Sequence, residues 1–296
     1  MSYRTTLGLL IASVLVTALS YYTERDRLFW SWQDIDQPFT MTQDSIVELI
    51  IEREDGTIRL ARRGGSWHLV EPITFRARQL LMEKVLKSLQ ELRVRGYLGK
   101  ERHRFGLVAP SLTVTLRQRN GREERIEFGA EHPEFPYVYL WLRDQAVLGD
   151  IDLRDHFRDV TVNQLRDDAV CSITSNRATQ LRIKEKGQEI LLSRTEQGWR
   201  VERPFQSDAD MAEVRHLLDV LNSWGIEEFI DDVDPADADS PYGLHSPRWT
   251  VEVQEQESET PLVILIGSPA PVAEDGPTRV YLCWKSVHSV FVASDQ

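Results

Sequence analysis

Cysteine is nearly missing from this chain: Cys171 and Cys283 are the whole supply in 296 residues. Two such residues make neither a disulfide framework nor a CxxC metal or redox site. They read as two buried free thiols, with a mutual disulfide in an oxidising compartment as the alternative. Basic charge is short as well. Asp and Glu number 47 against 35 Lys and Arg, a formal net charge of −12. Nucleic acid, whose phosphates need clustered Lys and Arg, is thereby excluded as a partner. The acidic sign names no substrate and serves solubility. Catalytic signatures are missing too. The chain has no GxxxxGK[ST] for a nucleotide phosphate, no GxGxxG behind a strand, no HExxH and no GxSxG. Its 7 histidines are scattered. His68 with Glu71 comes nearest to a ligand pair and reads as an ordinary strand-face polar pair. His245 stands beside Ser246, but adjacent side chains point apart and no orienting carboxylate is identifiable. No catalytic, cofactor-binding or metal-ligating residue is assigned.

What is present is a repeat. Shifted by 132 positions, the apolar skeleton falls on itself: Leu49 and Ile51 meet Leu181 and Ile183, Ile58 and Leu60 meet Ile190 and Leu192, and Trp67 and Pro72 meet Trp199 and Pro204. Met82, Val85, Leu86, Leu89 and Leu92 meet Val214, Leu217, Leu218, Leu221 and Trp224. After a small insertion, Phe105-Gly106-Leu107 with Pro110 answers Tyr242-Gly243-Leu244 with Pro247, and Val138-Tyr139-Leu140 answers Val280-Tyr281-Leu282. Solenoid repeats run roughly 20–50 residues, so a period this long is a duplicated domain.

Taken in order, the chain opens with Arg4 and then 19 residues without a charge, Thr5 to Thr23. As a helix that run spans about 28 Å, close to the hydrocarbon thickness of a bilayer. Tyr21, Tyr22, Phe29, Trp30 and Trp32 supply an interfacial aromatic belt, which favours a retained anchor over a signal peptide cleaved after Ala18-Leu19-Ser20. The rest of the chain is placed outside the cytoplasm. Gln33 to Asp44 reads as a tether. Alternation at Val47, Leu49 and Ile51, a turn at Glu54-Asp55-Gly56, then Ile58 and Leu60 make a β-hairpin. A strand with Trp67 and Leu69 follows, closed by Pro72. The period then becomes helical from Arg78 to Val94. In the second copy, Ser207 with Asp210 resembles a capping box. Each helix is followed by a charged loop and the Phe/Tyr-Gly-Leu-x-x-Pro turn. Strands are placed at 112–118, 123–128, 137–142 and 146–149, with counterparts near 249–255, 261–266, 279–284 and 288–293. Asn120-Gly121 is a hairpin turn. Ile151 to Asn176 has no partner in the other half and holds a short helix near Leu153–Phe157.

The reading is α+β: two tandem homologous domains, each an antiparallel sheet with one main amphipathic helix, after an N-terminal transmembrane helix. The division is 1–32 anchor and interfacial segment, 33–44 linker, 45–165 first repeat and 166–296 second repeat. Trp67, Pro72, Gly106, Pro110, Trp199, Pro204, Gly243 and Pro247 are structural positions. The two copies differ on one homologous loop, basic at Lys100, Arg102 and Arg104 and acidic at Asp231, Asp232, Asp234, Asp237 and Asp239. These are candidate interaction loops. Calcium is considered at the acidic one, but the EF-hand glycine and closing Glu are absent and Pro235 stiffens it, so it reads as solvated.

The N-terminal apolar segment, the Trp-x-(Leu/Val)-x-x-Pro strand, the amphipathic helix, the Phe/Tyr-Gly-Leu-x-x-Pro turn and the Gly followed by Val-Tyr together resemble a bacterial family catalogued as domain of unknown function 4340. Leu165-Arg166-Asp167-Asp168-Ala169-Val170 is similar to that family's link to its second half. Members are typically encoded beside ABC-2-type permeases and the gliding-motility-type auxiliary subunit of an ABC transporter. The resemblance therefore implies a non-enzymatic, membrane-tethered periplasmic accessory subunit with those proteins as partners, single-pass in the bacterial inner membrane. It carries no catalytic residues and no cofactor. Two other classes stand beside it: a lipid- or glycan-binding module using a groove between the repeats, and a hydrolase with an unrecognised site.

Overall fold

The computed structural model describes residues 34–35, 38–39, 41–271 and 277–294. The anchor, its aromatic belt and the cleavage question lie outside the described residues. Among the described residues no helix is long and apolar enough to cross a membrane. The chain divides into two units between Asp167 and Asp168.

The first unit is an antiparallel sheet built from β1 (Asp34–Ile35), β2 (Ile46–Arg53), β3 (Gly56–Arg63), β4 (Ser66–Glu71), β5 (Phe75–Arg76), β6 (Val94–Gly99), β7 (Leu112–Gln118), β8 (Glu123–Glu131), β9 (Tyr137–Leu142) and β10 (Gln145–Asp150). Its spatial order is β1-β6-β10-β9-β8-β7-β2-β3-β4-β5. Alternation sets the register. Leu49 and Ile51 stand opposite Leu60 and Ile58 on one side and Leu116 and Val114 on the other. Val114 and Leu112 in turn face Ile126 and Phe128, so one face of the sheet is continuously apolar. Helix α1 (Gln79–Gln90) buries Met82, Val85, Leu86 and Leu89 and packs on β4, where Trp67 is only 5% exposed. Gln79 fixes that contact: its Oε1 accepts from Trp67 N at 2.8 Å and its Nε2 donates to Trp67 O at 3.0 Å.

The second unit contains β11 (Ala178–Glu185), β12 (Gln188–Thr195), β13 (Gly198–Arg203), β14 (Ser207–Asp208), β15 (Ile226–Ile230), β16 (Trp249–Glu255), β17 (Leu262–Ala270), β18 (Arg279–Trp284) and β19 (Val290–Ser294). Its order is β14-β13-β12-β11-β16-β17-β18-β19-β15. Read from its other end, this is the path of the first sheet without β1. Helix α4 (Met211–Ser223) again buries one stripe, Val214, Leu218 and Leu221, and packs on β13, whose Trp199 is 7% exposed. The peptide bonds before Pro72 and Pro204 are both cis.

The glycines of the shared turn have a steric reason. Gly106 and Gly243 sit at φ 68° and 67°, where a side chain is strained. A Cβ on Gly106 would meet Ala130 N at 2.9 Å, and one on Gly243 would meet Ser268 N at 3.0 Å. Gly129 and Gly267 answer from the sheet: a Cβ on either would strike the carbonyl of Phe105 or Tyr242. The turn and the strand glycine interlock.

Three expectations need correction. The charged stretches after each helix are not loops throughout; β6 and β15 pair with β10 and β19. Both are interrupted by register shifts and carry charge, so alternation is not visible in them. The short helix expected near Leu153–Phe157 is present as α2 (Ile151–Asp159), which packs on β7, β9 and β10 and is followed by the single turn α3 (Val162–Leu165). Helix α1 ends at Gln90, because Val94 already belongs to the sheet. Finally, Ser207 caps nothing. It pairs with Val201 in β14, and Asp210 alone caps α4 by accepting from Ala212 N at 2.7 Å.

Candidate interaction face

The face of the first sheet opposite its core carries long polar and aromatic side chains. Glu127 stands between Thr113 and Trp141 on adjacent strands, and Tyr139 and Tyr137 follow on the same side of β9. The rings make a chain. Phe105 lies 4.8 Å from Tyr139, His132 lies 5.8 Å from Tyr139 and 5.3 Å from Phe135, and Phe135 lies 6.5 Å from Tyr137. Arg95 closes it, its guanidinium 5.0 Å above the Tyr137 ring. Phe135 is 36% exposed.

The basic loop borders this strip, and its three cations are all compensated. Lys100 Nζ is 2.9 Å from Asp144 Oδ2, and Arg104 is 3.1 Å from Glu101. Arg102 does more. It pairs with the nearly buried Glu127, donates from Nε to Leu107 O at 2.9 Å, and lays its guanidinium 4.5 Å over the Trp141 ring. Arg102 is thus a roof beam of the fold; Lys100 and Arg104 remain at the surface.

The acidic loop occupies the corresponding place after β15 and is tied down by hydrogen bonds. Asp231 accepts from Ser289 Oγ at 2.9 Å, Asp234 from Ala236 N at 2.9 Å and Asp237 from Asp239 N at 3.0 Å. Asp232 takes φ 58°, and Asp239 follows the second of those turns. Val233 anchors the loop on a small cluster of Leu244, Cys283 and Val290. His245, adjacent to Ser246, instead places Nδ1 3.1 Å from Ala236 O and ties the loop to the Gly-Leu turn. His68 Nδ1 lies 3.1 Å from its neighbour Ser66 O. Among the described residues no group of three His, Cys, Asp or Glu is placed to hold a metal. Both cysteines are buried thiols, Cys171 donating to Leu221 O at 2.9 Å, and burial pushes the Cys283 thiol up to about 11.

Charge identified the two loops in the sequence, but not the aromatic strip. The signal available was comparative: His132, Phe135, Tyr137 and Trp141 have no aromatic counterpart in the second repeat. The second unit builds the same strand order without them, so the fold does not require them.

The match that decides the family spans residues 67–247, from the Trp67 strand to the Pro247 turn, and its model is described as Domain of unknown function (DUF4340). The chain belongs to this DUF4340 family. The matched stretch takes in Trp67, Pro72, Trp199, Pro204 and both Gly-Leu-x-x-Pro turns. No curated protein and no solved structure matches the chain.

Proposed function

We propose that this chain is a non-enzymatic, membrane-tethered extracytoplasmic accessory subunit of an ABC-type transport complex, partnering an ABC-2-type permease and a gliding-motility-type auxiliary subunit. Membership of the DUF4340 family and the apolar N-terminal segment of the sequence support the assignment. We take its two sheets as copies of one duplicated unit, with the N-terminal segment as the inner-membrane anchor and the bulk of the chain periplasmic.

The observation that carries the reading is the aromatic strip of the first unit. Tyr, Phe, Trp and Arg are the side chains over-represented at protein interfaces, because they cover much area at low entropic cost. Here the Phe105–Tyr139 pair recurs in the other copy as Tyr242–Tyr281, but His132, Phe135, Tyr137 and Trp141 extend it on one face of one copy alone. The test is co-purification of the detergent-solubilised full chain with its permease from native membranes. A Phe135→Ala, Tyr137→Ala double variant should lose most of the permease while keeping its thermal midpoint. Equal permease recovery with wild type and variant would reject the strip as the docking surface.

A further inference from the structure

One cross-strand row differs between the two units in a way that opens a cavity. In the first unit the row Thr113–Glu127–Trp141 is covered by Arg102. The same register in the second unit reads Thr250–Leu265–Cys283, continued by Lys184 on β11. The indole has been replaced by the much smaller thiol of Cys283 and the carboxylate by an apolar leucine of similar size, and the acidic loop lays no arginine across them. A cavity of about 510 Å3 results. Leu265 and Cys283 form its apolar floor, and Pro235 and Ala236 of the acidic loop and His245 stand over it. That volume lies within the usual range for small-molecule sites.

The polar groups of the lining select the ligand. Glu252 is met by Lys184 at 2.9 Å and by Arg182 at 3.4 Å, and the Asp234 carboxylate accepts from Ala236 N. The Glu252 charge is therefore paired, and the Asp234 carboxylate is turned onto the backbone of its own loop. Lys285 and His288, both exposed at the rim, make no ion pair among the described residues. The unmet groups are donors above an apolar floor. We infer that this cavity binds a small amphipathic carboxylate, its apolar body on Leu265 and Cys283 and its anionic end at Lys285.

The full chain, held in amphipol, is titrated calorimetrically with 4-phenylbutyrate and, separately, with 4-phenylbutylamine. The carboxylate should bind saturably at one molecule per chain, and the amine at least tenfold more weakly. Lys285→Glu, a surface change, should weaken carboxylate binding at least tenfold with an unchanged thermal midpoint. Leu265→Trp, which fills the cavity from its apolar floor, should abolish it. Equal affinity for the amine, an unchanged constant in Lys285→Glu, or no saturable heat for the carboxylate would each overturn the assignment.

Discussion

Arg102 and Lys100 are two residues apart in one basic loop, yet they do different work. Removing Arg102 leaves Glu127 nearly buried with Arg125, 3.2 Å away, as its remaining ion-pair partner, and uncovers Trp141. Arg102→Ala should cost about 2–3 kcal/mol, the scale of losing charge-assisted hydrogen bonds at a buried carboxylate. Lys100→Ala breaks an exposed pair and should stay within about 0.5 kcal/mol. Urea unfolding of the two variants separates these roles, and equal losses would contradict the distinction. Cys283 supplies a pH signature at the same scale. Its folded thiol is raised from 9.0 to about 11 by burial, so the folded state prefers the protonated form. That contribution is complete below the unfolded value and fades as pH rises from about 9 toward 11. Cys283→Ala should therefore flatten the alkaline fall in stability; an equally steep fall in the variant would show that other groups cause it.

Among the elements, those with a strong period were legible in the sequence, and those whose reason is tertiary were not. β2 and β3 could be read because Leu49, Ile51, Ile58 and Leu60 all face one core. α1 and α4 could be read because their buried residues recur at helical spacing. β6 could not: Gly96 at φ 59° and the shifts opposite Val147 break its alternation, and only pairing with β10 makes it a strand. The strip was illegible for a related reason, since its rings come from β9, a hairpin and a single turn, and only the sheet brings them together. The start of α4 shows how local spacing misleads. Ser207 three residues before Asp210 imitates a capping box, while the backbone assigns the cap to Asp210. Asp210→Ala should lose about 1 kcal/mol, and Ser207→Ala only a few tenths. The reverse ranking in denaturant titrations would restore the capping box.

At the scale of the whole chain, each unit repeats one solution: a helix on one face of an antiparallel sheet, with a tryptophan on the strand before it. Trp67 and Trp199 are both nearly fully buried, in separate cores on either side of the Asp167–Asp168 division. A tryptophan truncated in a packed core loses its burial and leaves a cavity, at about 3–5 kcal/mol. If each unit is its own cooperative block, that loss stays in the unit that suffers it. Scanning calorimetry of the full chain should then resolve two transitions. Trp67→Ala should lower one of them and leave the other in place, and Trp199→Ala should do the opposite. A single transition moved by both substitutions would mean that the two sheets unfold as one block, and the repeat would then describe the path of the chain without describing its stability.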